Sequence, residues 1–346
     1  MTGQSTRSLY PGLVGESTAL TPATVASVEP LAGVLVVDLT RYLPGPFASR
    51  ELLRLGARVV RLEPPAGDPL REIEPAWDAL LNAGKESVVC DLKHEPELGR
   101  ALCARADVVL ESFRPGVAAG LGVGPDDLPE RIVYCSLTGF GRDGPHAARV
   151  GHDLNYLGYA GALAETAPAL PPVPLADLGG ALSAVGEIVA ALLARERTGR
   201  GARLTVSFTS FAHRLAPFGG PLTGRLASYR MYGTADSRWL TVASLEPRFF
   251  SRLCDIVGRP DLAARHRDPD QESLAAELEE VFAARPLAAW LELLDGEEVC
   301  VGPVLTLEEA GAERPSAPAP ALGEHTDAWR RELQPGRGSP SAAGSA

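Results

Sequence analysis

The sequence lacks any Cys-x-x-Cys pair: its five cysteines, Cys90, Cys103, Cys135, Cys254 and Cys300, are odd in number and widely spaced. That excludes a complete disulfide framework and reads as reduced thiols in a cytoplasmic protein. There is no His-Glu-x-x-His and no clustered His/Cys set, so no metal is expected. No apolar run is read as reaching transmembrane length, so no membrane partner is expected. Residues 1–30 lack the basic start and apolar stretch of a signal peptide and read as a flexible extension, as does the tail 334–346. Positive charge is the scarcer sign, with 33 Lys and Arg against 44 Asp and Glu and a net charge of −11. Nucleic acid is thereby an unsuitable main partner, and an anionic ligand needs a local basic pocket.

What remains is a globular chain of 346 residues, room for one large domain or two ordinary ones. The continuous apolar run Gly33 to Leu39 has the character of a buried parallel strand, and Phe47 to Leu55 reads as a helix. Further strands are expected at Ala57 to Leu62, Ser87 to Leu92, Val108 to Glu111 and Ile132 to Leu137, with a helix at Pro96 to Ala106. Such alternation implies an α/β fold with a Rossmann-like parallel sheet and right-handed crossovers. Neither a Gly-x-Gly-x-x-Gly loop nor a Gly-x-x-x-x-Gly-Lys-Ser/Thr loop is read, so nothing is expected to point to a dinucleotide.

The stretch Val150 to Arg197 carries the most chemistry. Gly151-His152-Asp153-Leu154-Asn155-Tyr156 opens one helical segment, and Leu175-Ala176-Asp177-Leu178-Gly179-Gly180 opens another, continued by Leu182, Val185, Val189, Leu192 and Leu193 at helical spacing. Asp177 is expected at the N-cap, with the two glycines leaving the backbone open to another molecule and the free N–H groups of the first turn favouring negative charge. A histidine and an aspartate at two helix mouths suit acid–base work, although each residue type has an ordinary structural use there.

Several motifs then follow in order: Asp38-Leu39-Thr40-Arg41-Tyr42-Leu43-Pro44-Gly45-Pro46, Leu55 to Pro64, Gly67-Asp68-Pro69, Asn82-Ala83-Gly84-Lys85-Glu86-Ser87, Glu111-Ser112-Phe113-Arg114-Pro115-Gly116 and Ser136-Leu137-Thr138-Gly139-Phe140-Gly141. Together they resemble the family III CoA-transferases (CaiB/BaiF), and most of all the α-methylacyl-CoA racemase subgroup. The resemblance covers roughly residues 30–305 and returns at Pro318 to Thr326.

The resemblance implies an acyl-CoA ligand held by a large α/β domain, with Arg41, Arg61, Arg71, Lys85 and Arg114 at its CoA-contacting positions. Forked guanidinium donors suit phosphates on an otherwise acidic protein. CoA is then part of the substrate, and no separate cofactor is implied. The racemase form implies His152 and Asp177 as the two proton carriers, Glu246 as partner of the imidazole, and the backbone N–H groups beginning at Asp153 as stabilisers of an enolate oxygen. The implied function is racemisation of a 2-methylacyl or similar 2-substituted acyl-CoA. The alternatives are a CoA transferase using Asp177 as nucleophile, for which no polyglycine loop is found, and a non-catalytic acyl-CoA-binding protein.

Domain organisation is expected as a large domain over 31–205, a linker over 206–228, a small α+β domain over 229–304 with helices at Leu274 to Ala284 and Leu287 to Leu294, and a return to the large domain over 305–333. The family implies an interlocked homodimer. Two stretches, Phe208 to Tyr229 and the connection before Pro318, are shorter than the family pattern.

Overall fold

The computed structural model describes residues 29–311, 315 and 317–334. Nearly all of the expected N-terminal extension, the tail after Gln334 and most of the shortened connection before Pro318 lie outside the described residues. The chain divides into two compact units, one formed by 29–216 and 315–334, the other by 217–311.

The strands are β1 (Leu35–Asp38), β2 (Arg58–Glu63), β3 (Glu86–Val89), β4 (Val108–Glu111), β5 (Val133–Thr138), β6 (Arg203–Ser207), β7 (Tyr229–Gly233), β8 (Trp239–Ala243) and β9 (Val301–Pro303). The helices are α1 (Pro44–Arg54), α2 (Leu70–Ile73), α3 (Pro75–Asn82), α4 (Glu97–Arg105), α5 (Val117–Gly120), α6 (Asp153–Ala160), α7 (Leu175–Thr198), α8 (Phe208–Leu215), α9 (Pro247–Ile256), α10 (Gln271–Ala283), α11 (Leu287–Leu294) and α12 (Thr326–Glu332).

In the larger unit six strands form a parallel sheet in the order β3-β2-β1-β4-β5-β6. Strand side chains alternate between two cores. Val36, Val59, Val108, Cys135 and Val206 meet α1, α6, α7 and α8, while Val37, Val60, Val109 and Tyr134 meet α4, α5 and α12. With both faces covered, the strands read as nearly continuous apolar runs, and the doubly wound architecture follows. The strand order reverses between β1 and β4, where Asp38 pairs with Leu110. In such sheets the crevice beyond the carboxyl ends of these two strands is the usual ligand site.

The expected strands are present within a residue or two, except that β3 ends at Val89, three residues before the expected Leu92. The sequence reading does not include β6, whose Leu204 and Val206 alternate with Arg203, Thr205 and Ser207 as an edge strand does. The expected linker is not one: 206–216 belongs to the larger unit, because α8 packs its Phe208 and Phe211 against α7. The smaller unit likewise runs past 304, since Val304 N–H donates to Trp239 O and Glu309 pairs with Arg238 at 2.9 Å. It holds an antiparallel sheet, β7-β8-β9, over a core that includes Tyr232, Leu240, Phe250, Leu278, Phe282 and Trp290.

Two further expectations are corrected. Helix α7, at 24 residues, is long and apolar enough to cross a membrane by length and composition alone. One side of it is nevertheless core: Ala176, Gly180, Ala181, Ala184, Ile188, Ala191 and Leu192 are buried, the small residues permitting close packing. After β5, Gly139-Phe140-Gly141-Arg142-Asp143-Gly144 has dinucleotide-loop spacing, yet the next helix begins only at Asp153, so it cannot place a phosphate on a helix terminus.

The chain's return is extensively bonded. His325 N–H donates to Ser87 O at 2.9 Å, Trp329 Nε1 to Glu86 Oε2 at 2.6 Å, and Thr326 Oγ1 accepts from Val89 N–H at 3.0 Å. Arg58 lies over the Trp329 ring at 4.2 Å and pairs with Glu86 and Glu332.

Candidate active site

Helices α6 and α7 begin side by side. His152 is the N-cap of α6, its backbone extended at φ −128° and ψ 176°, its side chain exposed, and its N–H donated to Asn155 Oδ1 at 3.1 Å. Asp153 is the first helical residue, so its N–H and that of Leu154 have no acceptor within the helix. Its carboxylate Oδ1 accepts the N–H of Asp177 at 2.9 Å, which ties the two helix mouths together.

Asp177 is not the N-cap. Pro174 holds that place, its fixed φ of −66° starting the helix, and Asp177 falls at the third helical position, half-buried. Burial first, and the neighbouring Asp153 charge second, push its carboxyl up to about 7. It is therefore a better base than a carboxylate of ordinary pKa, which the sequence alone could not reveal.

The two glycines do not face open space either. A Cβ on Gly179 would sit 2.2 Å from the Phe211 ring and one on Gly180 2.5 Å from that of Phe208. They bring α8 onto α7 rather than admit a ligand.

Sequence reasoning also missed Tyr156. Its hydroxyl donates to Gly151 O, fixing the backbone just ahead of His152, and burial together with Asp177 and Asp153 pushes its pKa up to about 12. Its ring meets Phe140 edge-on at 5.2 Å and Phe208 at 5.7 Å. A Cβ on Gly139 would strike that ring at 2.4 Å, which accounts for the glycine in the Ser136 to Gly141 motif. The signal was its place four residues after the histidine, on the same helical face.

The five cations expected to hold CoA separate into two groups. Arg41 follows β1 and Arg114 follows β4, so they flank the crevice where the strand order reverses. Both are exposed, with no ion-pair partner for the guanidinium among the described residues. The other three are engaged within the fold. Arg61 is 4% exposed and lies 2.9 Å from Asp78, 3.2 Å from Glu63 and 3.6 Å from Asp68. Arg71 forks onto Glu63 at 2.9 and 2.7 Å and donates to Pro320 O at 3.0 Å. Lys85 donates its buried Nζ to Pro46 O, Ser49 Oγ and Asn82 Oδ1 at 2.8, 2.7 and 2.9 Å, and burial lowers its pKa to about 7. Each of these three cations therefore meets acceptors inside the protein, and the Asn82-Ala83-Gly84-Lys85 motif closes on itself through Lys85 and Asn82.

Glu246 lies in the smaller unit as the exposed N-cap of α9, with φ −79° and ψ 136°. Among the described residues no group of three or more His, Cys, Asp or Glu side chains could hold a metal.

Comparison with known proteins bears on this arrangement. The model of CoA-transferase family III matches residues 31–328. The chain is 35% identical to the alpha-methylacyl-CoA racemase of Mus musculus, over 81% of this chain and 79% of that one. It is 33% identical to the acetyl-CoA:oxalate CoA-transferase of Acetobacter aceti, over 81% of this chain and 82% of that one. The crystal structure of a hypothetical protein from Mycobacterium tuberculosis superposes with a TM-score of 0.76 at 30% identity, covering 87% of this chain and 98% of the other. By the matched model, the ordered motifs and the doubly wound sheet, the chain belongs to CoA-transferase family III, a family of enzymes that includes both racemases and CoA-transferases.

Proposed function

We propose that the protein is an acyl-CoA racemase or epimerase that inverts a carbon next to a thioester carbonyl, with a 2-methylacyl-CoA as the substrate class. The observation that carries this reading is Asp177, its carboxyl pushed up to about 7, bonded through its N–H to the residue that follows His152. Inversion needs one group to remove the α-proton and another to return it on the opposite face, and a group poised near neutrality serves in either direction. His152 and Asp177 take these roles. The N–H groups of Asp153 and Leu154 are the donors for the enolate oxygen, helped by the positive end of the α6 dipole. Arg41 and Arg114 hold the phosphates of CoA, and no cofactor beyond the acyl-CoA is required.

The role of Glu246 rests on the family resemblance; Glu246→Gln should lower the exchange rate without weakening CoA binding. A homodimer is supported by the stripe Leu175, Leu182, Val189 and Leu193, 36–58% exposed on one side of α7.

Incubating 2-methylacyl-CoAs in heavy water tests the reaction. Deuterium at the α-position with no carboxylic acid acceptor present is the expected result. The second reading, CoA transfer, draws on similarity to the Acetobacter aceti enzyme at nearly the same identity. Trapping of Asp177 as a hydroxamate by hydroxylamine, CoA exchange between two acids and no α-deuterium would establish transfer instead.

A further inference from the structure

Two strand exits in the larger unit are built alike. Asp38 ends β1, and its Oδ1 accepts the N–H of Thr40, two residues on, at 2.8 Å. Glu111 ends β4, and its Oε2 accepts the N–H of Phe113, again two residues on, at 2.6 Å. The two carboxylates are only 2% and 3% exposed. In each case the next residue is an exposed arginine, Arg41 or Arg114. Because Asp38 pairs with Leu110, the two turns leave the sheet about one residue apart, on either side of the point where the strand order reverses.

A buried carboxylate is costly unless its oxygens are occupied by donors. Here each acid is anchored from within the fold. Asp38 receives the hydroxyls of Ser49 and Thr40 and lies 3.9 Å from Lys85 Nζ. Glu111 is bonded to Ser136 and lies 3.8 Å from Arg142 Nη1. The oxygen facing the turn then fixes the backbone of residue i+2, and with it the direction in which residue i+3 leaves. Closing a strand end needs only an acceptor of some kind; repeating acid, spacing and arginine at the two central strands suggests a shared target.

We infer that Asp38 and Glu111 are positioning residues that aim Arg41 and Arg114 at one anionic ligand, so that the two turns form a paired clamp on the phosphates of an acyl-CoA. The inference rests on the acyl-CoA reading given above. Its energetic logic is preorganisation: a turn already fixed loses less freedom when the arginine meets phosphate. A purely structural role for Glu111 would affect stability without any dependence on Arg114.

A double-mutant cycle on free CoA binding, read by calorimetry on the full chain, separates these cases. Glu111→Met removes the acceptor at similar size and should weaken CoA about tenfold, whereas Glu111→Gln keeps an oxygen for Phe113 N–H and should stay within about threefold. In an Arg114→Ala background Glu111→Met should cause no further loss. For turnover, Glu111→Met should raise KM and leave kcat unchanged. Equal losses from Glu111→Met in both backgrounds would overturn the positioning role while leaving the acyl-CoA reading intact. Unchanged CoA affinity in Arg114→Ala itself would remove the acyl-CoA reading at this turn, and the clamp with it. If Glu111→Met fails to fold, Phe113→Pro deletes the donated N–H, leaves the acid in place and enters the same cycle.

Discussion

Replacing Asp153 by Asn tests the electrostatics of the site at its most sensitive point. The Asp177 carboxyl rises from an ordinary 3.8 to about 7, with burial the larger cause and the Asp153 charge the smaller. Roughly three units correspond to about 4 kcal/mol against the charged form, an upper figure because water still screens a half-buried group. Asparagine removes the charge but keeps an oxygen to accept the Asp177 N–H. Less than half of the rise can therefore disappear, and the midpoint should fall by no more than about 1.5 units. A carbon-13 titration of the Asp177 carboxyl reads the midpoint, and the pH profile of α-proton exchange should move with it. Stability supplies an independent check. An acid whose folded pKa lies above its unfolded value adds stability below the unfolded pKa and loses it as pH rises through the folded pKa. The wild type should weaken between about pH 4 and 7, and Asp177→Asn should gain on it across that window. A midpoint unmoved by Asp153→Asn, or an ordinary midpoint in the wild type, would refute the reasoning.

Arg61→Met leaves Glu63, Asp68 and Asp78 buried around a lost cation, so urea unfolding should show a loss of about 3–5 kcal/mol. Gly179→Ala gains about 1 kcal/mol of helix propensity but forces the Phe211 ring away, and a net loss of about 1–2 kcal/mol is expected in the same assay. Arg114→Ala should weaken free CoA by about 1.5–3 kcal/mol by calorimetry, the worth of a charge-assisted hydrogen bond. Leu182→Asp with Leu193→Asp should convert a dimer to monomer in sedimentation velocity, and a wild type already monomeric would remove the dimer proposal.

The sheet was legible because strands covered on both faces announce themselves as apolar runs, as in Leu35–Asp38 and Val108–Glu111. The edge strand β6 was not, since three of its five residues are polar and the alternation is short. At the site, residue identity could be read but environment could not. The ordered motifs drew attention to His152 and Asp177, yet the third-position placement of Asp177 depends on Pro174, and its raised pKa on burial and on a neighbour 24 residues away. The same gap explains the cations. Arg61 and Arg114 look equally basic in sequence, and only the positions of Glu63, Asp68 and Asp78 reveal that one of them is already occupied.

The return of the chain to β3 has a consequence for the order in which the protein assembles. Residues 323–332 bond to strands near residues 58–89, across more than 230 intervening residues, and closing a loop of that length costs about 5 kcal/mol of chain entropy before any contact forms. The smaller unit, 217–311, is already complete in the nascent chain when that return has not yet been made. During synthesis the inserted unit can therefore fold first, while the larger unit waits for the returning segment, with Ser87 O and Val89 N–H still lacking the partners they find in His325 and Thr326.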